Sequence, residues 1–195
     1  MRSTLLLLML FCSVLFAENV PARTTSQAAA GADAPMQAAI GPNAKVPKDS
    51  LFRRFVGTWD VTYEIYDKTG NVRRYHGQVV YRWILDGEAL QEVWTSDAHN
   101  KVAQPYSTTI SFHDDKRERW SVIWIYPAQG VTTIVRGNEA NGRIVLTGAD
   151  EAGPMQRWTI GEFQTGSFVS RFEKSEDDGK TWQLVGVNYV QRHSG

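Results

Sequence analysis

Phe55-Val56-Gly57-Thr58-Trp59-Asp60-Val61 is the stretch on which the reading of this sequence turns. A glycine, one residue and a tryptophan open a long alternating run. Trp59, Val61, Tyr63 and Ile65 share one face, and Asp60, Thr62, Glu64 and Tyr66 share the other. That period of two is the signature of a half-buried strand. Working outward, the next runs fall at 72–85, 88–96, 106–113, 120–126, 131–136, 143–147, 155–163, 167–174 and 181–192. Turn chemistry separates them, for example Thr69-Gly70-Asn71, Asp86-Gly87 and Gly137-Asn138-Glu139-Ala140-Asn141-Gly142. No gap between runs leaves room for a crossover helix. The pattern predicts an all-β chain: an antiparallel up-and-down barrel of about ten strands, with a β-sandwich as the alternative.

Upstream of the stretch, Asp49 and Ser50 are good N-cap residues ahead of Leu51-Phe52-Arg53-Arg54-Phe55. One turn of helix is expected there, plugging an end of the barrel. Residues 23–48 are rich in Ala, Gly, Pro and Ser and contain no large aromatic, so they read as a disordered linker. Residues 1–22 have the form of a signal peptide. Arg2 precedes an apolar run from Leu5 to Phe11, too short to span a bilayer stably, and cleavage would follow Ala17 or Ala22. The domain proper is then 49–195, exported to the periplasm or secreted, with no membrane-spanning segment after cleavage. Cys12 is the only cysteine and lies in the removed segment, so no disulfide is expected.

Gly57-Thr58-Trp59 together with Arg192, near the end of the last run, resembles the opening and closing of lipocalin (calycin-type) barrels. In that superfamily the tryptophan packs under the barrel floor and a basic side chain from the last strand lies across it. An arginine suits this place because guanidinium stacks on an indole face and hydrogen-bonds nearby carbonyls. More narrowly, the chain resembles bacterial exported lipocalin-like domains of unknown function, whose last hairpin has the form Ser-x-Asp-x-Gly-x-Thr-Trp. Here that hairpin is Ser175-Glu176-Asp177-Asp178-Gly179-Lys180-Thr181-Trp182. It also matches the Asp box of sialidase propellers, but those carry one copy per blade and this chain carries one in all. Asp177 is expected to hold the turn backbone, Gly179 to take positive φ and Trp182 to fold over the loop. The resemblance spans about 51–192 and implies a barrel; it implies no reaction.

Composition excludes several functions. Twenty-one basic residues balance 21 acidic ones, which leaves no electrostatic footprint for nucleic acid. His76, His99, His113 and His193 stand at no metal-ligand spacing, so neither a metal nor a cofactor is expected. There is no nucleophile elbow and no phosphate loop.

What remains is the interior. A ten-stranded barrel has room for a small ligand unless aromatics such as Tyr63, Tyr81, Trp83, Phe112, Trp120, Trp124, Phe168 and Phe172 fill it. The leading expectation is a barrel that binds a small apolar or amphipathic molecule. Tyr81, Trp94 and Trp124 would supply apolar contact, and Glu92 or Arg157 would fix a polar end. Solvated, outward placement is the simpler reading of those two charges, because ionic side chains are rarely buried unpaired. Two alternatives stand beside it. One is an enzyme with Glu92 as acid or base; the other is a filled barrel serving as an interaction module.

Overall fold

The computed structural model describes residues 41–98, 102–149 and 153–194. The expected signal peptide, most of the expected linker and His99 lie outside the described residues. Ten antiparallel strands follow one another: β1 (Gly57–Tyr66), β2 (Val72–Ile84), β3 (Ala89–Ser96), β4 (Gln104–Asp114), β5 (Arg119–Tyr126), β6 (Val131–Ala140), β7 (Arg143–Ala149), β8 (Met155–Gly161), β9 (Ser167–Ser175) and β10 (Gln183–Arg192). Each pairs with its neighbours in sequence, and β10 pairs back onto β1, with Trp59 opposite Arg192. The barrel is closed, so the sandwich alternative falls; closure also leaves no unpaired sheet edge.

Strand β6 is longer than the sequence implies. Gly137 begins no turn; it lies inside the barrel wall, where a Cβ would collide with the Val145 carbonyl oxygen. The missing side chain lets the strand bend against β7 and continue to Ala140. The turn itself is Asn141-Gly142, both at positive φ. At the other end of the list, Trp182 belongs to the hairpin and not to β10.

One end of the barrel is closed by chain preceding β1. The α-helical turn expected there is not formed: Leu51–Arg54 make a single 3-10 turn. The chain must cross the barrel end and enter β1 within a few residues, which allows one tight turn and no more. Ser50 caps the turn by accepting from Phe52 N, and the Glu139 carboxylate of β6 accepts from Ser50 Oγ and Leu51 N. Phe52 stacks on Trp120 with ring centroids 3.8 Å apart, and Phe55 stacks on Tyr81 at 5.1 Å. Residues 41–48, assigned to the linker in the sequence reading, are seated on this end. Val46 is buried, Asn43 N donates to Gly87 O, and Arg53 donates to the carbonyls of Val46 and Pro47.

On β1 the expected face turns inward, with Trp59, Val61 and Tyr63 buried and Ile65 at the rim, and on β2 Tyr81 and Trp83 are buried. On β4 the expectation fails. Phe112 does not fill the interior; the polar row Ser107, Thr109 and Ser111 is the buried one. Pairing forces this. Leu90, Glu92 and Trp94 of β3 point inward, and their partners opposite are Ser111, Thr109 and Ser107. Directly opposed residues share a face, so Phe112 must point outward. A bulge between Trp94 and Thr95 leaves Tyr106 without an opposite partner and re-aims it into the barrel.

Candidate functional site

The interior above the aromatic plug is a cavity of about 340 Å³. That lies within the range of small-molecule sites, roughly 300–1,000 Å³. Its depth is bounded by Phe52 and Val122. Its mouth is at the opposite end, among Ile65, Gln129 and Lys174, all exposed. Four of the five residues expected to bind a ligand line it: Tyr81, Glu92, Trp94 and Trp124.

Glu92 is the central one. It is 8% exposed, and its flanking residues Leu90 and Trp94 hold it inward by strand alternation. The simpler reading of its sequence position, a solvated charge, is therefore not what the barrel does. Trp94 Nε1 donates to Glu92 Oε2 at 3.0 Å. Burial pushes the carboxyl up from its ordinary 4.5 to about 7, and Trp94, Thr109 and Ser111 draw it part of the way back. Across the strand pair stands Tyr81 of β2. Burial raises the Tyr63, Tyr81 and Tyr106 phenols, so they stay neutral.

Arg157 is not part of the site. On β8 the inward residues are Gln156, Trp158 and Ile160, so Arg157 faces out. Its guanidinium makes a two-point contact with Glu173 of β9, both bonds 2.7 Å, and lies 4.3 Å over the Trp182 ring. Arg157 therefore fixes the last hairpin to the barrel wall.

The polar end expected of Arg157 is supplied by residues that the sequence reading passed over. Gln156 repeats on β8 the pattern of Glu92 on β3: Trp158 Nε1 donates to Gln156 Oε1 at 3.1 Å. Strands β3 and β8 stand five places apart in the ring of ten, on opposite walls. Glu92-x-Trp94 and Gln156-x-Trp158 are thus the same two-residue device, seen twice. The repeat is legible in the sequence, and it was the signal that could have found Gln156. Ser170 and Asn188, on the adjoining β9 and β10, complete that wall.

Arg192 lies 3.7 Å over the Trp59 ring and donates to the carbonyl oxygens of Val56 and Arg54. Gly57 is at φ 122°, and a Cβ there would collide with Arg192 Nη1, so the glycine makes room for the clamp. In the hairpin, Asp177 accepts from Thr181 N, Thr181 Oγ1 and Ser175 Oγ at 2.7–2.8 Å. Gly179 has φ 85°, and Trp182 Nε1 donates to its carbonyl. Among the described residues no group of His, Cys, Asp and Glu could hold a metal ion, and no helix is long and apolar enough to cross a membrane.

A closed ten-strand up-and-down barrel, plugged at one end by the chain before β1 and clamped there by a Trp–Arg pair, defines the fold as calycin-type, or lipocalin-like. Among solved structures the chain is similar to the S-type phycobiliprotein lyase CPES from Guillardia theta, with 11% identity, 74% of this chain and 91% of that chain covered, and a TM-score of 0.53. It is also similar to Rv2717c from M. tuberculosis, with 13% identity, coverage of 72% and 94%, and a TM-score of 0.50. No family model and no curated protein matches the sequence. At these identities the likeness speaks for the fold alone.

Proposed function

We propose that this protein is an exported barrel that binds a small amphipathic molecule in its interior. The observation that carries the proposal is the one-ended cavity of about 340 Å³, walled by Tyr81, Trp94, Trp124 and Trp158, with a carboxyl group buried in it. An apolar cavity with a few convergent polar groups is the general form of a small-molecule site. Export rests on the charged and apolar segment at 2–11. The cavity speaks against a filled barrel acting only as an interaction module.

The test uses a neutral apolar fluorophore, 1-aminoanthracene, and two variants. Ser170→Phe projects a ring into the cavity and should abolish binding while the far-UV circular dichroism is kept. Arg157→Ala removes an outer-face contact and should leave affinity within about twofold. Equal binding by wild type and Ser170→Phe would mean the dye sits outside the barrel. Native mass spectrometry of protein taken from its own compartment then asks what it carries.

A second reading has its own support. A buried carboxyl brought to about 7 can serve as a general acid or base near neutral pH. It requires that Glu92→Gln bind a substrate and not turn it over.

A further inference from the structure

Every charged group lining the cavity bears on what can enter it. Among the described residues only two do so, Glu92 within and Lys174 at the mouth. Glu92 has no cation against it: none of the ion pairs of the described residues includes it. A buried carboxylate without a counter-ion is unusual, because burial of charge is compensated by pairing. Beside it, on β4, the Ser111 hydroxyl is buried, lines the cavity and acts on the Glu92 carboxyl together with Trp94 and Thr109, all of them neutral groups. Tyr81, Trp94 and Trp124 line the cavity with it, and aromatic rings attract cations over their faces.

Taking as given that the barrel binds a ligand inside, we infer that the ligand is a small organic cation, an amine on an apolar or aromatic body, with its ammonium against Glu92 and Ser111. The ammonium supplies the missing counter-ion and donates to both oxygens. The rings hold the body and add cation–π attraction. Gln156 and Asn188 on the opposite wall offer amide oxygens to a second N–H or O–H on the same molecule. An anionic ligand of the same shape is repelled by Glu92 when the carboxyl is ionised.

The pH dependence has one sign. The groups packed around Glu92 are Tyr81 of β2, Trp94 of its own strand, and Thr109 and Ser111 of β4; Tyr63, Tyr106 and Lys174 complete the titratable lining. The phenols stay neutral, so Glu92 alone changes charge inside the cavity between pH 5 and 8. Cation binding therefore strengthens as pH rises through about 7.

The experiment is calorimetry with three probes on one indole body: tryptamine, the neutral tryptophol and the anionic indole-3-acetate. At pH 8 tryptamine should bind at least about tenfold more tightly than tryptophol, and indole-3-acetate most weakly. Between pH 8 and pH 5.5 tryptamine should lose roughly thirtyfold in affinity and tryptophol almost none. Glu92→Gln should erase the advantage of tryptamine over tryptophol and the pH dependence of tryptamine binding. If Glu92→Gln does not fold, the probe order and its pH dependence decide on the wild-type protein. Tryptophol equal to tryptamine, or indole-3-acetate the tightest, overturns the cation assignment and leaves the binding barrel standing. Binding of 1-aminoanthracene with none of the three also overturns the assignment alone. Binding of none of the four probes overturns both readings.

Discussion

Glu92 stabilises the empty protein least where it is ionised. Its folded-state pKa, about 7, lies above the ordinary 4.5. Between those values the folded state holds a proton that the unfolded chain releases, so stability falls as pH rises from about 4.5 to 7 and is level beyond. The full shift corresponds to about 3 kcal/mol as an upper figure. Glu92→Gln keeps an oxygen for the Trp94 N–H and carries no charge. It should therefore raise the melting temperature by several degrees at pH 8 and hardly change it at pH 4. Thermal melts at the two pH values check this; an equal effect at both would place the carboxyl in contact with solvent. The residue was legible in part. Its place between Leu90 and Trp94 shows that it shares their face. That the face is the inner one depends on strands that the local sequence does not contain.

At the scale of elements, the last hairpin and β4 make opposite points. The hairpin 175–182 is a local object. Asp177 holds Thr181 and Ser175, all within four residues, and those bonds keep its carboxyl down at about 2. Such a device can be read from eight residues. Because the carboxyl is depressed from its ordinary 3.8, its contribution to the turn is full above about 3.8 and is lost as pH falls from there through about 2. Asp177→Ala should speed hydrogen exchange at the Thr181 amide by roughly tenfold while ligand affinity is unchanged. No change in exchange would show that the backbone turn stands without the carboxylate. Strand β4 is the contrary case. Ser107, Thr109 and Ser111 against Tyr106, Ile110 and Phe112 gives a clear alternation, and hydrophobicity points to the wrong face. Its polar row is turned inward by its register with β3, and the bulge at Tyr106 has no mark in the sequence. Arg157 shows the same limit: alternation joined it to Met155 and Thr159 and could not say that Gln156, Trp158 and Ile160 faced the cavity.

The molecule as a whole is held by closure. Strand β1 and strand β10 lie at opposite ends of the described domain, and their pairing makes the barrel. Contacts so distant in sequence must be brought together against loop-closure entropy, and folding should be slow for a chain of this size. Arg192 secures that seam from below, stacked on Trp59 and bonded to the carbonyls of Val56 and Arg54. Arg192→Ala should lower stability by about 2 kcal/mol, read in tryptophan-monitored melts. Arg192→Lys should recover less than half of it, because an ammonium neither stacks in a plane nor reaches two carbonyls at once. Both variants should leave cavity binding unchanged in the folded protein. Full stability in Arg192→Ala would show that the clamp has no energetic role.

By itself the sequence determined the all-β class, the succession of about ten strands and the chemistry of the Asp177 hairpin, and a family resemblance supplied the pairing of Trp59 with Arg192. The strands and the hairpin rest on short-range chemistry: side chains alternate with a period of two, and glycines go where φ is positive. The tertiary structure alone decided which of two alternating faces became the inside of β4 and β8, which made a lining residue of Gln156 and a surface brace of Arg157. It also left the space around Glu92 open. The physical reason is that period-two alternation is symmetric between inside and outside, and only the register of the neighbouring strands breaks that symmetry.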